Sequence, residues 1–537
     1  MSEPSVARVV GERLREAGVR YVTGHPGGEV VDLIEGFRQA GLEFVLTRHE
    51  AAAAFMADAM ASASGIPGVC VATLGPGATN LVTGVAQAHL DRSPLIAFTG
   101  QLPADRFEIT THQKLELRAL FAPISKWQAR LTARNASDVI ARALRESLRP
   151  RRGPVFVEVP SDVPRQPASN AVASRPHYVP PGAPDTSAVV EPAHAGRAAR
   201  LLRESRRPLL LVGMDANDEA VSAPLLHLAE EWNIPVMVSP KAKGVFREDH
   251  PLFLGTIEML GTAKLYEFID SCDLVLMVGF DPVEFDSAWT APAKVIHIGP
   301  LPNNDGYYGS EAELVGPVPD GIGVLRSVAG TPEPRLAGDG EIARLRSTFR
   351  TYVAPKRTGL TAQQVLAELR AVLPEDALVT CDVGYNKAVT GQCFPAYRPK
   401  TFFMSNGLSS MGYGLPAALG LKLLHRDRTV ACVLGDGGFA MLMGELETGV
   451  RLGLGVTVIV LADEALSQIR AGQERKGFPV TGTTFGALDY VAIAKGFGIA
   501  GYDVRSVREC SDALRSASAD APTLIAAHVD PSAYQLG

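Results

Sequence analysis

Short apolar runs rich in β-branched residues recur along this chain and alternate with stretches of helix length. Two of them are VCVATLG at 69–75 and VTVIVLAD at 456–463. Strands buried on both faces have this character, because helices cover both surfaces of a parallel sheet. The pattern therefore predicts an α/β protein of doubly wound parallel sheets, with ligand sites at the carboxyl ends of strands. The other runs lie at 44–50, 95–100, 155–160, 209–213, 236–239, 274–279, 295–299, 378–384 and 430–437.

Two segments without hydrophobic periodicity divide the 537 residues. Residues 164–193 are rich in Pro, Ala and Ser, and residues 328–340 have a similar character. Both are typical of linkers. We therefore expect three α/β domains, at 1–165, 190–328 and 358–530.

Charge and composition argue against several classes of partner and location. Lys and Arg number 52 and Asp and Glu 58, so the net charge is −6. Without a basic excess to neutralise phosphates, we expect neither nucleic acid nor a membrane surface as partner. The six cysteines are dispersed without a C-x-x-C pair, as in reduced cytosolic proteins. The chain has no uncharged apolar run of about 20 residues and no apolar N-terminal signal core, so we expect a cytoplasmic location.

The glycine turn Gly435-Asp436-Gly437-Gly438 follows an apolar strand and precedes a predicted helix at 439–450. Backbone N–H groups in such a turn favour a phosphate, and the carboxylate of Asp436 can hold a divalent cation. Asp463 ends the next strand, 27 residues later (463 − 436). Because parallel strands joined by one helix end at the same edge, the two carboxylates are predicted to form a metal and diphosphate site. A plain turn with a capping Asp is the alternative.

A second candidate is Glu50, which ends the run Thr47-Arg48-His49-Glu50 and opens an Ala-rich helix. A carboxylate there is either a helix-start residue favoured by the helix dipole or an acid/base group at the end of a buried strand. The residues alone do not decide between these two roles of Glu50. Two further glycine turns are weak signals by themselves: one at 25–28, after the predicted strand VRYVTG, and one at 75–80.

Taken together, these motifs resemble the thiamine-diphosphate-dependent enzymes of the acetolactate synthase and pyruvate oxidase group. PGG, RHE, GPGATN, GQLP, HQ, DVG, GLSSMGYGLPAALG, GDGGF and ELETGVRLGL occur in the family's order over nearly the whole chain. The resemblance implies pyrimidine-binding, central and diphosphate-binding domains. It also implies thiamine diphosphate (ThDP) and Mg²⁺ as cofactors, and an active site formed between two subunits of a homodimer or homotetramer.

Residue by residue, the resemblance gives Glu50 the role of the catalytic glutamate that bonds N1′ of the aminopyrimidine. Gln113 matches an active-site position, and His25 is expected either to face the substrate or to cap a turn. The carbonyl of Ser409 matches the acceptor for the 4′-amino group, and Met411 the residue that holds the cofactor bent. The metal ligands implied are Asp436, Asp463 and the carbonyl of Ala465. Other positions implied to contact the cofactor are Pro26, Asn80, Val383, Gly384, Tyr385, Asn386, Gly435, Gly437 and Gly438.

Within this group the segments at 111–127 and 279–285 look most like catabolic, flavin-independent acetolactate synthases. Asp281 and Glu284 would repel a flavin phosphate, which argues against FAD. Gly472 stands where synthases that prefer 2-oxobutyrate carry Trp, so the identity of the acceptor substrate is left undecided.

We therefore expect decarboxylation of a 2-oxo acid, with pyruvate as the expected donor, and carboligation to a second carbonyl. The alternatives are a decarboxylase or carboligase of specialised metabolism, a non-catalytic protein of the same fold, and a generic nucleotide-binding protein.

Overall fold

The computed structural model describes residues 3–168, 190–304, 306–331, 339–353 and 359–531. The predicted linkers at 164–193 and 328–340 fall mostly outside these ranges. Within the described ranges, no helix combines the length and the apolar character needed to cross a membrane.

The first sheet is formed by β1 (Tyr21–His25), β2 (Glu43–Leu46), β3 (Gly68–Ala72), β4 (Leu95–Gln101), β5 (Trp127–Arg130) and β6 (Pro154–Pro160). All neighbours pair in parallel, in the order β2-β1-β3-β4-β6-β5. The helices of this region are α1 (Val6–Glu16), α2 (Val31–Gln39), α3 (Glu50–Ser64), α4 (Pro76–Leu90), α5 (Ala104–Phe107), α6 (Leu117–Phe121) and α7 (Ala136–Leu148).

The second sheet is formed by β7 (Pro208–Val212), β8 (Val236–Val238), β9 (Phe253–Thr256), β10 (Leu274–Val278), β11 (Lys294–Gly299) and β12 (Ala312–Val315). It is also parallel throughout, in the order β12-β11-β10-β7-β8-β9. Its helices are α8 (Pro192–Glu204), α9 (Glu219–Trp232), α10 (Thr262–Asp270), α11 (Val318–Ala329) and α12 (Asp339–Val353).

The third sheet is formed by β13 (Leu378–Cys381), β14 (Phe402–Met404), β15 (Val430–Gly435), β16 (Val456–Ala462), β17 (Ala500–Val504) and β18 (Thr523–His528). Its parallel order is β14-β13-β15-β16-β18-β17. The helices of this stretch of the chain are α13 (Ala362–Val372), α14 (Tyr385–Cys393), α15 (Gly414–Leu424), α16 (Asp436–Leu442), α17 (Glu445–Arg451), α18 (Ser467–Arg475), α19 (Tyr490–Gly496) and α20 (Val507–Arg515).

Three all-parallel sheets with helices between their strands confirm the predicted fold class. The inner strands explain why the pattern was readable: every residue of β4 and of β16 is buried. Strands buried on both faces have no polar side to alternate with, so their sequences are continuous apolar runs.

The contacts divide the chain into two compact units. Unit 1 consists of residues 1–183, 407–427 and 440–454, and unit 2 of residues 184–406, 428–439 and 455–537. Helices α15 and α17 therefore belong with the first sheet rather than with the third. Gly420 of α15 shows how close this packing is, because a Cβ there would lie 2.7 Å from the carbonyl oxygen of Met56 in α3.

The helix predicted at 439–450 is two helices. Helix α16 already begins at Asp436, and α17 begins at Glu445 after a break at Met443 and Gly444. Glycine is a poor residue for a helix interior, which accounts for the break. The new start turns Glu445 inward, where it is fully buried.

Candidate active site

Glu50 is the first residue of α3, at the corner that follows β2. Its side chain is buried, and its Oε2 accepts a hydrogen bond of 3.0 Å from Nδ2 of Asn80 on α4. Gly77 leaves room for this carboxylate, because a Cβ at that position would lie 3.3 Å from Oε1 of Glu50. The GPGATN turn therefore supplies both the space and a partner for Glu50.

The corner around Glu50 is held by side chains on both sides of it. Nδ1 of His49 accepts from the N–H of Ala51 at 3.1 Å and so caps α3. Nδ1 of His25 donates to the carbonyl of Thr47 at 2.9 Å, since a carbonyl oxygen can only accept. This bond holds the chain just after β2, and both roles expected for His25, facing the substrate and capping a turn, stay predictions.

Two other predicted positions of unit 1 have left-handed backbone conformations that are unusual for non-glycine residues. Gln113 has φ of 55° and Ser409 has φ of 54°. Gly75 lies against Gln113, since a Cβ on Gly75 would be 2.9 Å from Cβ of Gln113. The loop that carries Ser409 and Met411 is anchored at Gly407, whose N–H donates to Oδ1 of Asp91 at 2.6 Å. Strained backbone of this kind concentrates at functional sites.

In unit 2 the start of α14 has features of an anion site. Gly384 precedes the helix with φ of 115°, a conformation that favours glycine, and no side chain caps the helix there. Within the described residues, Oδ1 of the buried Asn386 has no hydrogen-bond partner. Its Nδ2 lies 2.9 Å from where a Cβ on Gly435 would be. The ends of β13 and β15 therefore meet at Asn386, with helix N–H groups that suit a diphosphate.

The predicted metal ligands lie side by side at the ends of β15 and β16. Oδ2 of Asp436 accepts from the N–H groups of Asp463 (3.1 Å) and Glu464 (2.7 Å). Asp463 in turn accepts from Ser467 Oγ at 2.6 Å and from the N–H of Ala465 at 3.3 Å. Burial raises the pKa of both carboxyl groups, that of Asp463 to about 6 with the charge of Asp436 adding to the effect.

Such a pair of hard oxygen ligands fits Mg²⁺, which binds through one or two carboxylates and the oxygens of a phosphate. A bound cation would also remove the repulsion between the two carboxylates. Within the described part of the chain, no cluster of three or more His, Cys, Asp or Glu side chains offers a site held by protein side chains alone. The residues present therefore fit a metal that is shared with a diphosphate.

Glu445 of α17 also belongs to the Glu50 corner, although it is not among the predicted site residues. It accepts from the N–H groups of Arg48 and His49. Glu445 opens the segment ELETGVRLGL, one of the motifs of the resemblance, but that motif does not indicate a contact with residues about 400 positions earlier, as the separation of 397 shows. Only the tertiary structure reveals this contact.

Comparison with known families decides the interpretation. The family model "Thiamine pyrophosphate enzyme, N-terminal TPP binding domain" matches residues 4–120. The model for the central domain of the same enzymes matches residues 195–325, and that for the C-terminal TPP binding domain matches residues 382–527. All three parts of one enzyme architecture are thus present in their order.

Full-length relatives agree with these domain matches. The chain is 32% identical to the "Probable acetolactate synthase large subunit" of Methanocaldococcus jannaschii, over 98% of this chain and 92% of that protein. It is 34% identical to the "Acetolactate synthase" of Arthrospira platensis, over 93% and 90% of the two chains. The "Acetolactate synthase" of Bacillus subtilis is 30% identical, over 98% and 93%. The chain belongs to the acetolactate synthase family of ThDP-dependent enzymes.

Membership in the acetolactate synthase family confirms three predictions. The protein is an enzyme, its organic cofactor is ThDP, and its chemistry is decarboxylation of a 2-oxo acid with carboligation. It also rules out the reading as a generic nucleotide-binding protein. The roles of the individual site residues remain proposals.

Proposed function

We propose that this enzyme takes pyruvate as its donor, releases carbon dioxide and joins the remaining acyl unit to a second pyruvate, as an acetolactate synthase. The observation that carries the proposal is the buried Glu50 at the start of α3, bonded by Asn80 at the place where the family has its catalytic glutamate. The names of the relatives support the same substrate.

We assign the residues that hold the cofactor from their match to the family's positions. The geometry described above supports the assignment at Gly384 and Asn386 and at Asp436 and Asp463. Gly384, Tyr385 and Asn386 would bind the diphosphate together with Val383 and the turn at 435–438. Asp436, Asp463 and the carbonyl of Ala465 would hold Mg²⁺. Ser409, Met411 and Pro26 would contact the organic part of ThDP. When bound, ThDP supplies an electron sink for the loss of carbon dioxide.

The catalytic work of the chain itself is proton transfer and positioning. Glu50 would hold a proton at N1′ of the aminopyrimidine, and the hydrogen bond from Asn80 keeps its carboxylate in one orientation. The carbonyl of Ser409 would accept a hydrogen bond from the 4′-amino group. Gln113 and His25 would border the substrate, with His25 also holding the carbonyl of Thr47.

We further propose that the enzyme works without FAD. Glu284 is fully buried, and its Oε2 accepts from the N–H groups of Met214 (2.9 Å) and Asp281 (3.2 Å). Ser239 donates to its Oε1. These donors lie at the carboxyl ends of β7, β8 and β10, where doubly wound sheets bind nucleotide phosphates. The carboxyl group of Glu284 already uses them, which supports a central domain without a flavin.

We propose a cytoplasmic homodimer or homotetramer with the three domains at the boundaries expected above. Large apolar side chains in unit 2 support assembly, since Ile469 is 56% exposed and Phe478 60% exposed. Light scattering on the purified enzyme tests this point. A monomer at micromolar concentration would contradict it.

As a second candidate we propose an acceptor that is larger than pyruvate. Gly472 of α18 stands where synthases that prefer 2-oxobutyrate carry Trp, and a Cβ there would meet no atom within 4 Å. The lack of a side chain at this position supports the second candidate.

Incubation with ThDP, Mg²⁺ and a panel of 2-oxo acids and aldehydes, with products identified by mass spectrometry, tests both candidates. Acetolactate from pyruvate alone supports the main proposal. A free aldehyde as sole product contradicts it, and a cross-ligated product made in preference to acetolactate favours the second.

A further inference from the structure

Glu445 is a fully buried carboxylate at the start of α17. Its Oε1 accepts from the backbone N–H of Arg48 at 2.9 Å and from that of His49 at 3.0 Å. Its Oε2 accepts from Oγ1 of Thr448 at 2.8 Å. All four residues belong to unit 1, so the contact lies inside one compact body.

The two backbone groups that Glu445 binds come immediately before Glu50. They lie in the turn between β2 and α3, where neither the sheet nor the helix supplies them with an acceptor. Charge-assisted hydrogen bonds to a carboxylate are short and directional. One side chain therefore sets the path of the chain as it enters the residue that carries the catalytic carboxylate.

The backbone before and after Arg48 and His49 is fixed by other hydrogen bonds. The N–H of Thr47 donates to the carbonyl of Gly24 at 2.9 Å, and Nδ1 of His49 receives the N–H of Ala51. Between these anchors, Arg48 and His49 are held by Glu445 alone through their N–H groups as far as the described contacts show. Without Glu445 the turn would keep the hydrogen bonds to the carbonyls of Thr47 and His49 but lose the acceptor for both N–H groups. Glu50 would then be held less tightly relative to Asn80.

We propose that Glu445 is a positioning residue for catalysis: it fixes the turn at Arg48 and His49 and thereby keeps the carboxylate of Glu50 in its working orientation. The inference rests on the proposed role of Glu50. It assigns to Glu445 no contact with substrate or cofactor.

Three variants and one matched control test the inference. Glu445→Ala removes both acceptors, and Glu445→Asp shortens the side chain by one methylene and withdraws the carboxylate from the turn. Glu445→Gln retains an oxygen for the two N–H groups, and its amide can donate to Thr448. The control is Glu447→Ala, on the same helix. Glu447 forms ion pairs with the side chains of Arg451 and Arg48, whereas Glu445 binds the backbone N–H groups of the turn.

The readout is the rate at which the C2 proton of bound ThDP exchanges with deuterium, measured by NMR after acid quench. ThDP affinity by calorimetry and the melting temperature are recorded beside it. A slower exchange at unchanged ThDP affinity is what a shifted Glu50 produces. A purely structural residue would lower the melting temperature and leave the exchange rate of the folded, loaded enzyme as it was.

We expect Glu445→Ala and Glu445→Asp to slow the exchange about 10-fold, with Glu445→Gln and Glu447→Ala within about 3-fold of the wild type. Unchanged exchange in a folded Glu445→Asp or Glu445→Ala protein overturns the inference, as does a Glu445→Gln protein as slow as these two. If Glu445→Ala does not fold, the Asp and Gln pair decides. Glu50→Gln is measured alongside: normal exchange there refutes the role of Glu50 itself, which separates that failure from a failure of the inference.

Discussion

At the start of α3, Glu50 combines burial with a hydrogen bond from Asn80, 30 positions further along the chain. Neither property can be read from the run Thr47 to Glu50, which by itself is equally consistent with a helix-start carboxylate. The structure adds the space left by Gly77 and the bonds that fix the corner. These features support the acid/base role that we propose for Glu50.

Replacing Glu50 by Gln is expected to lower turnover by about 100-fold or more, because positioned proton transfer contributes on that order. The amide has the shape of the carboxylate, so the fold and ThDP affinity should be retained. Steady-state rates and calorimetry check both parts. Wild-type turnover in this variant would refute the assigned role.

Replacing Asp436 by Ala should weaken ThDP retention at fixed Mg²⁺, because one of the two carboxylates that we propose as metal ligands is lost. The measurement is a ThDP titration at several Mg²⁺ concentrations. Asp520→Ala, an exposed carboxylate of the same unit, serves as the control. If Asp436→Ala binds ThDP with the same Mg²⁺ dependence as the wild type, the metal site is assigned to the wrong residues.

At the scale of elements, the inner strands could be predicted because burial on both faces makes them continuous apolar runs. The strands that sequence patterns did not indicate are chiefly the edge strands β5, β9, β12, β14 and β17, which lie at the ends of their sheets. An edge strand has a neighbour on one side and is short or mixed in polarity, as in β17 with the sequence AGYDV. β18 was missed although it lies inside its sheet and is mostly apolar.

The start of α14 offers a test of backbone conformation at the diphosphate site. Gly384→Ala should cost about 1–3 kcal/mol of stability and weaken ThDP binding, because φ of 115° is unfavourable for any residue with a Cβ. No atom lies within 4 Å of that Cβ, so the effect is conformational rather than steric.

Gly196→Ala on α8 is the matched control for Gly384→Ala. Its Cβ also meets no atom within 4 Å, and its φ is not in the positive region. Thermal melts and ThDP titrations on both variants make the comparison. Equal behaviour of the two variants would show that the conformation at Gly384 is not needed.

The carboxyl group at the strand ends of the central domain predicts a pH effect on stability. Burial raises the pKa of Glu284 to about 8, whereas an unfolded Glu titrates near about 4.3. The folded state therefore prefers the protonated form. This contribution is fully present below the unfolded pKa and is lost as pH rises through the folded pKa.

Glu284→Gln keeps an acceptor for Met214 and Asp281 and cannot ionise. Its melting temperature relative to the wild type should rise between pH 5 and pH 8 (roughly the window between the two pKa values). Taking the difference between the two proteins cancels the other titrating groups. A difference that stays constant over this range would contradict the raised pKa.

At the scale of the whole molecule, motif order along the chain was the strongest predictor, and three domain matches and full-length relatives confirm it. The order of the motifs does not predict that α15 and α17 pack with the first sheet. That grouping depends on packing between segments hundreds of residues apart, such as Gly420 against Met56. It is also what brings Glu445 to the Glu50 corner.

The proposed reaction is tested by the ratio of carbon dioxide released to pyruvate consumed by the enzyme with ThDP and Mg²⁺. Carboligation of two pyruvates releases one carbon dioxide for each pair, so we expect this ratio, with acetolactate as the product. One carbon dioxide for every pyruvate, with acetaldehyde as the product, would contradict it.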